Sequence, residues 1–171
     1  MKRIAKRIAL VASLALVAGV VSAVPAQAAV SGTCGVAGQA TTSPPVQLQG
    51  GSGTYEFQDL VFACEGTIDG QTDVAVFDIT TDGTYVNEVC GTGEAHSTTG
   101  NGVVTQSLMG NQGKTFEAQY DIVFTAGVGT LTFRSPASGS GVIDIIATGP
   151  QAPPACTDSF AVAGEVTLNI P

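Results

Sequence analysis

His96 is the only histidine in the chain, and histidine is the residue type that general acid–base chemistry near neutral pH most often uses. It lies in the run Gly91-Thr-Gly-Glu-Ala-His-Ser-Thr-Thr-Gly-Asn-Gly102, with Glu94 and Ser97 close by in sequence. A nucleophile must be held against its base by a rigid scaffold and served by an oxyanion hole. A Gly/Thr-rich run reads instead as a loop, and the chain has no G-x-S-x-G elbow. The expectation is a solvated loop histidine, with no catalytic residue assigned.

Two further patterns bear on ligands. Gly110-Asn-Gln-Gly-Lys114-Thr115 ends like a phosphate loop, but the first glycine of G-x-x-x-x-G-K-S/T would fall at Leu108, and strand-like sequence follows it. Without a helix N-terminus the amide cradle for phosphate is missing, so the segment reads as a hairpin turn. Asp69, Asp73, Asp78 and Asp82 lack the dense D-x-D-x-D-G spacing of a calcium loop. Asp78 and Asp144 each interrupt an apolar strand; the expectation is that both face water, whereas an inward carboxylate would carry a raised pKa and a role in chemistry. No cofactor or metal site is assigned.

Cys34, Cys64, Cys90 and Cys156 contain no C-x-x-C pair, and their even number suits two disulfides rather than zinc. Asp69-Gly70 and Asp82-Gly83 suit two-residue hairpin turns. That register sets Cys64 opposite Ala75 and Ala75 opposite Cys90. The two cysteines are then roughly 10 Å apart across a middle strand, beyond the ~7 Å that a disulfide spans. Of the two remaining pairings, Cys34–Cys64 with Cys90–Cys156 is favoured, because each joins sequence neighbours and ties a terminal segment to the sheet.

The elements that must position these residues are strands. From Thr115 to Ala126, Phe116, Ala118, Tyr120, Ile122 and Phe124 alternate with mostly polar residues, and Phe160, Val162, Val166, Leu168 and Ile170 do the same near the C-terminus. A type II′ turn at Gly127-Val128 would set Phe124 opposite Leu131 and Ile122 opposite Phe133. Other strands are expected at about 54–64, 73–80, 84–90, 103–109, 129–134 and 142–148, making eight. Tyr55 and Phe57 share one parity while Leu60 and Phe62 share the other, so a bulge at Gln58-Asp59 would restore them to one face. Segments 35–53, 91–102, 135–141 and 149–155 read as loops. The expected fold is one all-β antiparallel domain, a β-sandwich or a β-barrel, with seven Phe and three Tyr as core anchors.

Charge is unevenly placed. Lys2, Arg3, Lys6 and Arg7 precede an apolar run from Ile8 to Val21 and an A-x-A pattern at Ala26 and Ala28. Residues 1–28 therefore read as a secretory signal peptide, and 29–171 as the exported domain. The whole chain has a formal charge of −8, whereas the exported part sets only Lys114 and Arg134 against all fourteen carboxylates, leaving −12. Such a surface repels phosphate backbones, so nucleic-acid binding is not expected, nor is membrane insertion after signal removal.

Gly53-Thr-Tyr-Glu-Phe57 and Gly83-Thr-Tyr-Val-Asn-Glu-Val-Cys-Gly-Thr-Gly93, within an acidic four-cysteine β-domain, resemble small secreted β-domain proteins of actinobacteria. That resemblance implies export and no particular activity. The chain is also similar in composition and export to the neocarzinostatin-type apoproteins, which implies an immunoglobulin-like sandwich holding an enediyne chromophore. It departs from that family in cysteine spacing, since no close pair of cysteines closes a short loop.

The reading is an extracellular, disulfide-stapled, non-catalytic domain that binds a small molecule, a protein partner or the cell envelope. One alternative is a barrel-type isomerase, cyclase or hydrolase, which would need Asp78, Asp144 or Tyr120 to converge in one cavity. Another is an inhibitor of extracellular hydrolases, which would need an exposed, disulfide-braced loop.

Overall fold

Period-two alternation of apolar residues gives each strand an inner and an outer face, and the inner faces close on one another. The structure, a computed structural model, describes residues 27–90, 92–149 and 155–171; most of the expected signal peptide, residues 1–26, lies outside them. In chain order the strands are β1 (Val30–Gln47), β2 (Gly53–Ile68), β3 (Gln71–Val86), β4 (Gly93–Ser97), β5 (Asn101–Ser107), β6 (Thr115–Glu117), β7 (Tyr120–Thr125), β8 (Val128–Phe133), β9 (Ser140–Ala147) and β10 (Ala155–Ile170). The ring β1-β2-β3-β4-β7-β8-β9-β10 is antiparallel throughout and closes on itself. It is an eight-stranded barrel, so closure removes every free edge within the ring.

β5 and β6 extend this ring. β5 pairs the first half of β3 on the edge where β4 pairs its end, and β6 pairs β5 much as β7 pairs β4. Each pair is one line of chain broken once, at Thr98–Gly100 and at Ala118–Gln119. The immunoglobulin-like sandwich implied by the neocarzinostatin similarity is therefore not the architecture.

All seven Phe and all three Tyr are buried, as expected of core anchors. Phe77 and Phe116 meet edge to face at 5.1 Å, and Phe133 touches both Phe62 and Tyr120. On β2 the register shifts between Phe57, opposite Thr81, and Leu60, opposite Ile79. Gln58 and Asp59 thus face the single residue Thr80, and the expected bulge keeps Tyr55, Phe57, Leu60 and Phe62 inside. Asp69-Gly70 forms its expected hairpin turn, with φ of 50° and 77°.

Other expectations are corrected. Residues 35–53 are not a loop, because β1 runs to Gln47 and is paired on both edges by β2 and β10. Its inward residues, Cys34, Val36, Ala40 and Val46, are small enough that the apolar signal is faint. Likewise, 91–102 contains β4 and the start of β5.

Asp82-Gly83 is not a turn. β3 runs through it to Val86, so 84–90 is no separate strand. Gly83 is needed for a different reason: a Cβ there would collide with the His96 carbonyl oxygen and the Tyr55 ring. At the β7–β8 hairpin the central residues are Ala126 and Gly127, with φ of 52° and 82°, a type I′ geometry. Ile122 therefore faces Leu131 and Tyr120 faces Phe133. The expected register is off by two residues, a shift that leaves every side chain on its expected face.

Both favoured disulfides form, Cys34–Cys64 across directly opposed residues of β1 and β2, and Cys90–Cys156 between the segment after β3 and the start of β10. Cys64 does pair with Ala75, but Ala75 faces Ser107 on its other side. Cys64 and Cys90 are kept apart along β3, from Ala75 to beyond Val86, rather than across one intervening strand.

Candidate functional site at the barrel mouth

His96 sits on β4, not in a loop, and the strand's alternation separates it from Ser97. Glu94 and His96 face outward and Ser97 faces inward. His96 Nδ1 lies 2.8 Å from Asp121 Oδ1 across the β4–β7 pair, and its Nε2 is 3.6 Å from Glu94. The Ser97 hydroxyl donates to the Tyr120 carbonyl at 3.0 Å and accepts the Tyr120 amide at 2.7 Å. It is a brace across the strand breaks, and Arg134 adds to it by donating to the Ser97 carbonyl while its Nε stands 3.5 Å from Asp121.

The remaining polar candidates are also dispersed. Asp78 and Asp144 are exposed on outer faces. Tyr120 points inward, where its hydroxyl is 3.3 Å from Thr81 Oγ1 and accepts from Tyr55 at 3.4 Å. Burial raises both phenols above their ordinary range, and the neighbouring Tyr120 adds to the shift at Tyr55. The structure thus does not bring Asp78, Asp144 and Tyr120 into one cavity. Lys114 pairs with Asp69, whose other oxygen accepts the Ala29 amide at 2.9 Å, so the lysine is engaged at the end of the barrel opposite the mouth. These bonds, the one from Lys114 first, hold the Asp69 carboxyl below its usual range. Asp73 is the one member of its series that turns inward. Burial raises its pKa, but bonds from Ser107, Asn111 and the Met109 and Leu108 amides outweigh that and hold it low. Among the described residues no three His, Cys, Asp or Glu side chains gather as metal ligands.

A site of another kind appears where the barrel opens beside the segment after β3. A cavity of about 50 Å³ is walled by Ala40, Phe57, Ala95, Ile122, Phe124, Ile145, Phe160 and Val162, with Thr42, Tyr55, Tyr85 and Glu88 completing it. Glu88 is only 3% exposed and lines this cavity. Burial pushes its pKa up from 4.5 to about 7. The Thr42 hydroxyl oxygen is likewise buried without a hydrogen bond among the described residues. Tyr85, by contrast, donates to the Pro44 carbonyl at 2.5 Å.

Sequence reading missed Glu88 because strand parity places it outside. Tyr85 faces in, so Glu88, an odd number of positions on, would face out. Asn87 breaks the count with φ of 54°, a conformation asparagine tolerates, and turns Glu88 inward. The segment is then fixed by a bond from the Glu88 amide to the Gly51 carbonyl at 3.0 Å, by reciprocal Val89 and Thr92 bonds, and by Cys90–Cys156. An asparagine followed by a lone acid two residues before a cysteine was the available signal.

On the outer wall, a second concavity of about 340 Å³ crosses β1, β2 and β3; it is lined by Thr41, Ser43, Thr54, Glu56, Asp82, Gly83, Thr84 and Thr98 and shares Thr42 and Tyr55 with the mouth. Its carboxylate at Asp82 is occupied by the Thr98 and Thr99 hydroxyls, which hold its pKa low. The mouth combines an apolar wall with the buried Glu88, and it shares the unpartnered Thr42 hydroxyl with the outer concavity. No protein-family model, curated protein or solved structure matches the chain, so the mouth and the barrel around it carry the functional argument.

Proposed function

We propose that the chain is an exported, non-catalytic binding domain whose ligand seats in the barrel mouth. The supporting observation is the apolar cavity under the disulfide-pinned segment, lined by the buried Glu88 and by the Thr42 hydroxyl, which has no partner among the described residues. Ligand sites commonly pair an apolar wall with a few convergent polar groups. Two disulfides fit an oxidising compartment, and the basic, apolar first 28 residues fit an export address. The resemblance to small secreted actinobacterial proteins agrees with that destination. With two cations against fourteen carboxylates in the exported part, nucleic acid is not the partner.

Native mass spectrometry of the protein taken from the culture medium without denaturation tests this. The expected result is a mass above that of the two-disulfide polypeptide, which is lost on denaturation. A bare polypeptide mass, together with hydrolysis of a peptide, ester or glycoside substrate that His96→Ala abolishes, overturns it.

A further inference from the structure

We propose that the barrel mouth is selective for the amino end of a short, unbranched primary alkylammonium, whose charged head pairs with Glu88 while its chain lies along the apolar wall. This rests on the binding-domain reading and adds the ligand's chemical class.

Glu88, only 3% exposed, lines an otherwise largely apolar cavity. An isolated buried carboxylate is costly, and the cost is met by a paired cation or by keeping the proton. The two Lys and Arg side chains among the described residues are engaged elsewhere, Lys114 with Asp69 and Arg134 with Asp121 and the Ser97 carbonyl. The cation that completes the pair must therefore come from outside. Thr42 contributes an unpartnered oxygen on the same cavity. An ammonium has three N–H donors, so the carboxylate and this hydroxyl can both accept from one head group.

Size and field narrow the class further. A cavity of about 50 Å³ is well under the ~150 Å³ that admits benzene, so it takes only the small head end of a ligand and leaves the rest of the chain along the wall. The exported part bears fourteen carboxylates against two cations, a field that favours cations over carboxylates as ligands. Proton transfer from a neutral Glu88 to a free amine yields the same ion pair, with no other reactant needed.

The experiment is an amide NMR titration of the exported, disulfide-bonded chain with n-butylammonium, n-butanol and butyrate. The expected result is saturable shifts at Glu88, Ala95 and Ile145 with butylammonium, about ten-fold weaker binding of butanol and none of butyrate. Glu88→Gln removes the preference for ammonium, and Thr42→Val weakens ammonium while leaving butanol unchanged. The three-ligand series on the native protein decides selectivity even if a variant fails to fold. Butanol binding as tightly as butylammonium overturns the ammonium assignment and leaves the binding-domain reading standing. Shifts absent from the mouth with all three ligands overturn the assignment too, and the native mass of the culture-medium protein then decides the broader reading separately.

Discussion

Glu88 shows how one backbone dihedral changes the chemistry of a side chain. Its pKa rises from 4.5 to about 7 on folding, so between those values the native state keeps a proton that the unfolded chain has released. Its contribution to stability is complete below about 4.5, falls as pH rises through 7, and is lost above that. Asp69, Asp73 and Asp82 run the other way: their low native pKa values contribute stability above the ordinary carboxylate range, and it is lost only as pH falls further. Their titrations lie outside the window that belongs to Glu88. The thermal midpoint of Glu88→Gln, measured from pH 5 to pH 8, should therefore gain on the native protein as pH rises and exceed it at pH 8. A difference between the two that does not change with pH would remove the buried-carboxylate account.

At the scale of elements, the β5–β6 pair includes a close approach of ring to backbone. Gly102 pairs with Phe116, and the ring lies over the glycine where a Cβ would stand. Phe116 in turn packs edge-on against the fully buried Phe77. Gly102→Val must push that ring off its contact, and overpacking of this kind costs about 1–3 kcal/mol. Urea unfolding followed by fluorescence of the tyrosines should show a lower midpoint with little change in slope. A midpoint equal to that of the native protein would mean that the ring has room to move and that the β5–β6 pair is not held by it.

Closure is a property of the whole molecule, and the two disulfides serve it differently. Cys34–Cys64 links strands already paired at that register, across 30 residues of chain, while Cys90–Cys156 spans 66 and pins the segment that carries Glu88 onto β10. Loop-closure entropy assigns each bridge roughly 4 kcal/mol. Replacing either pair by alanines should lower stability by about that amount. Hydrogen exchange separates them: losing Cys90–Cys156 should speed exchange at the Glu88 amide, while losing Cys34–Cys64 leaves the mouth protected. Equal protection of the Glu88 amide in both double variants would show that hydrogen bonds to Gly51 and Thr92 hold the segment without the bridge.

Alternation along the chain determined which residues face inward on the longest strands, the bulge at Gln58-Asp59 and the burial of the aromatics on those strands. These are local or nearly local properties, because strand geometry has a period of two wherever the strand lies. Only the tertiary structure decided that β1 is a central strand, that Gly83 serves a close approach rather than a turn, that the sheet closes as a barrel, and that Glu88 looks into its mouth. Each of those depends on what lies across the barrel, on residues tens of positions away. Faces are set by the pleat of a single strand, whereas partners, closure and the depth of a side chain are set by how all the strands fit together.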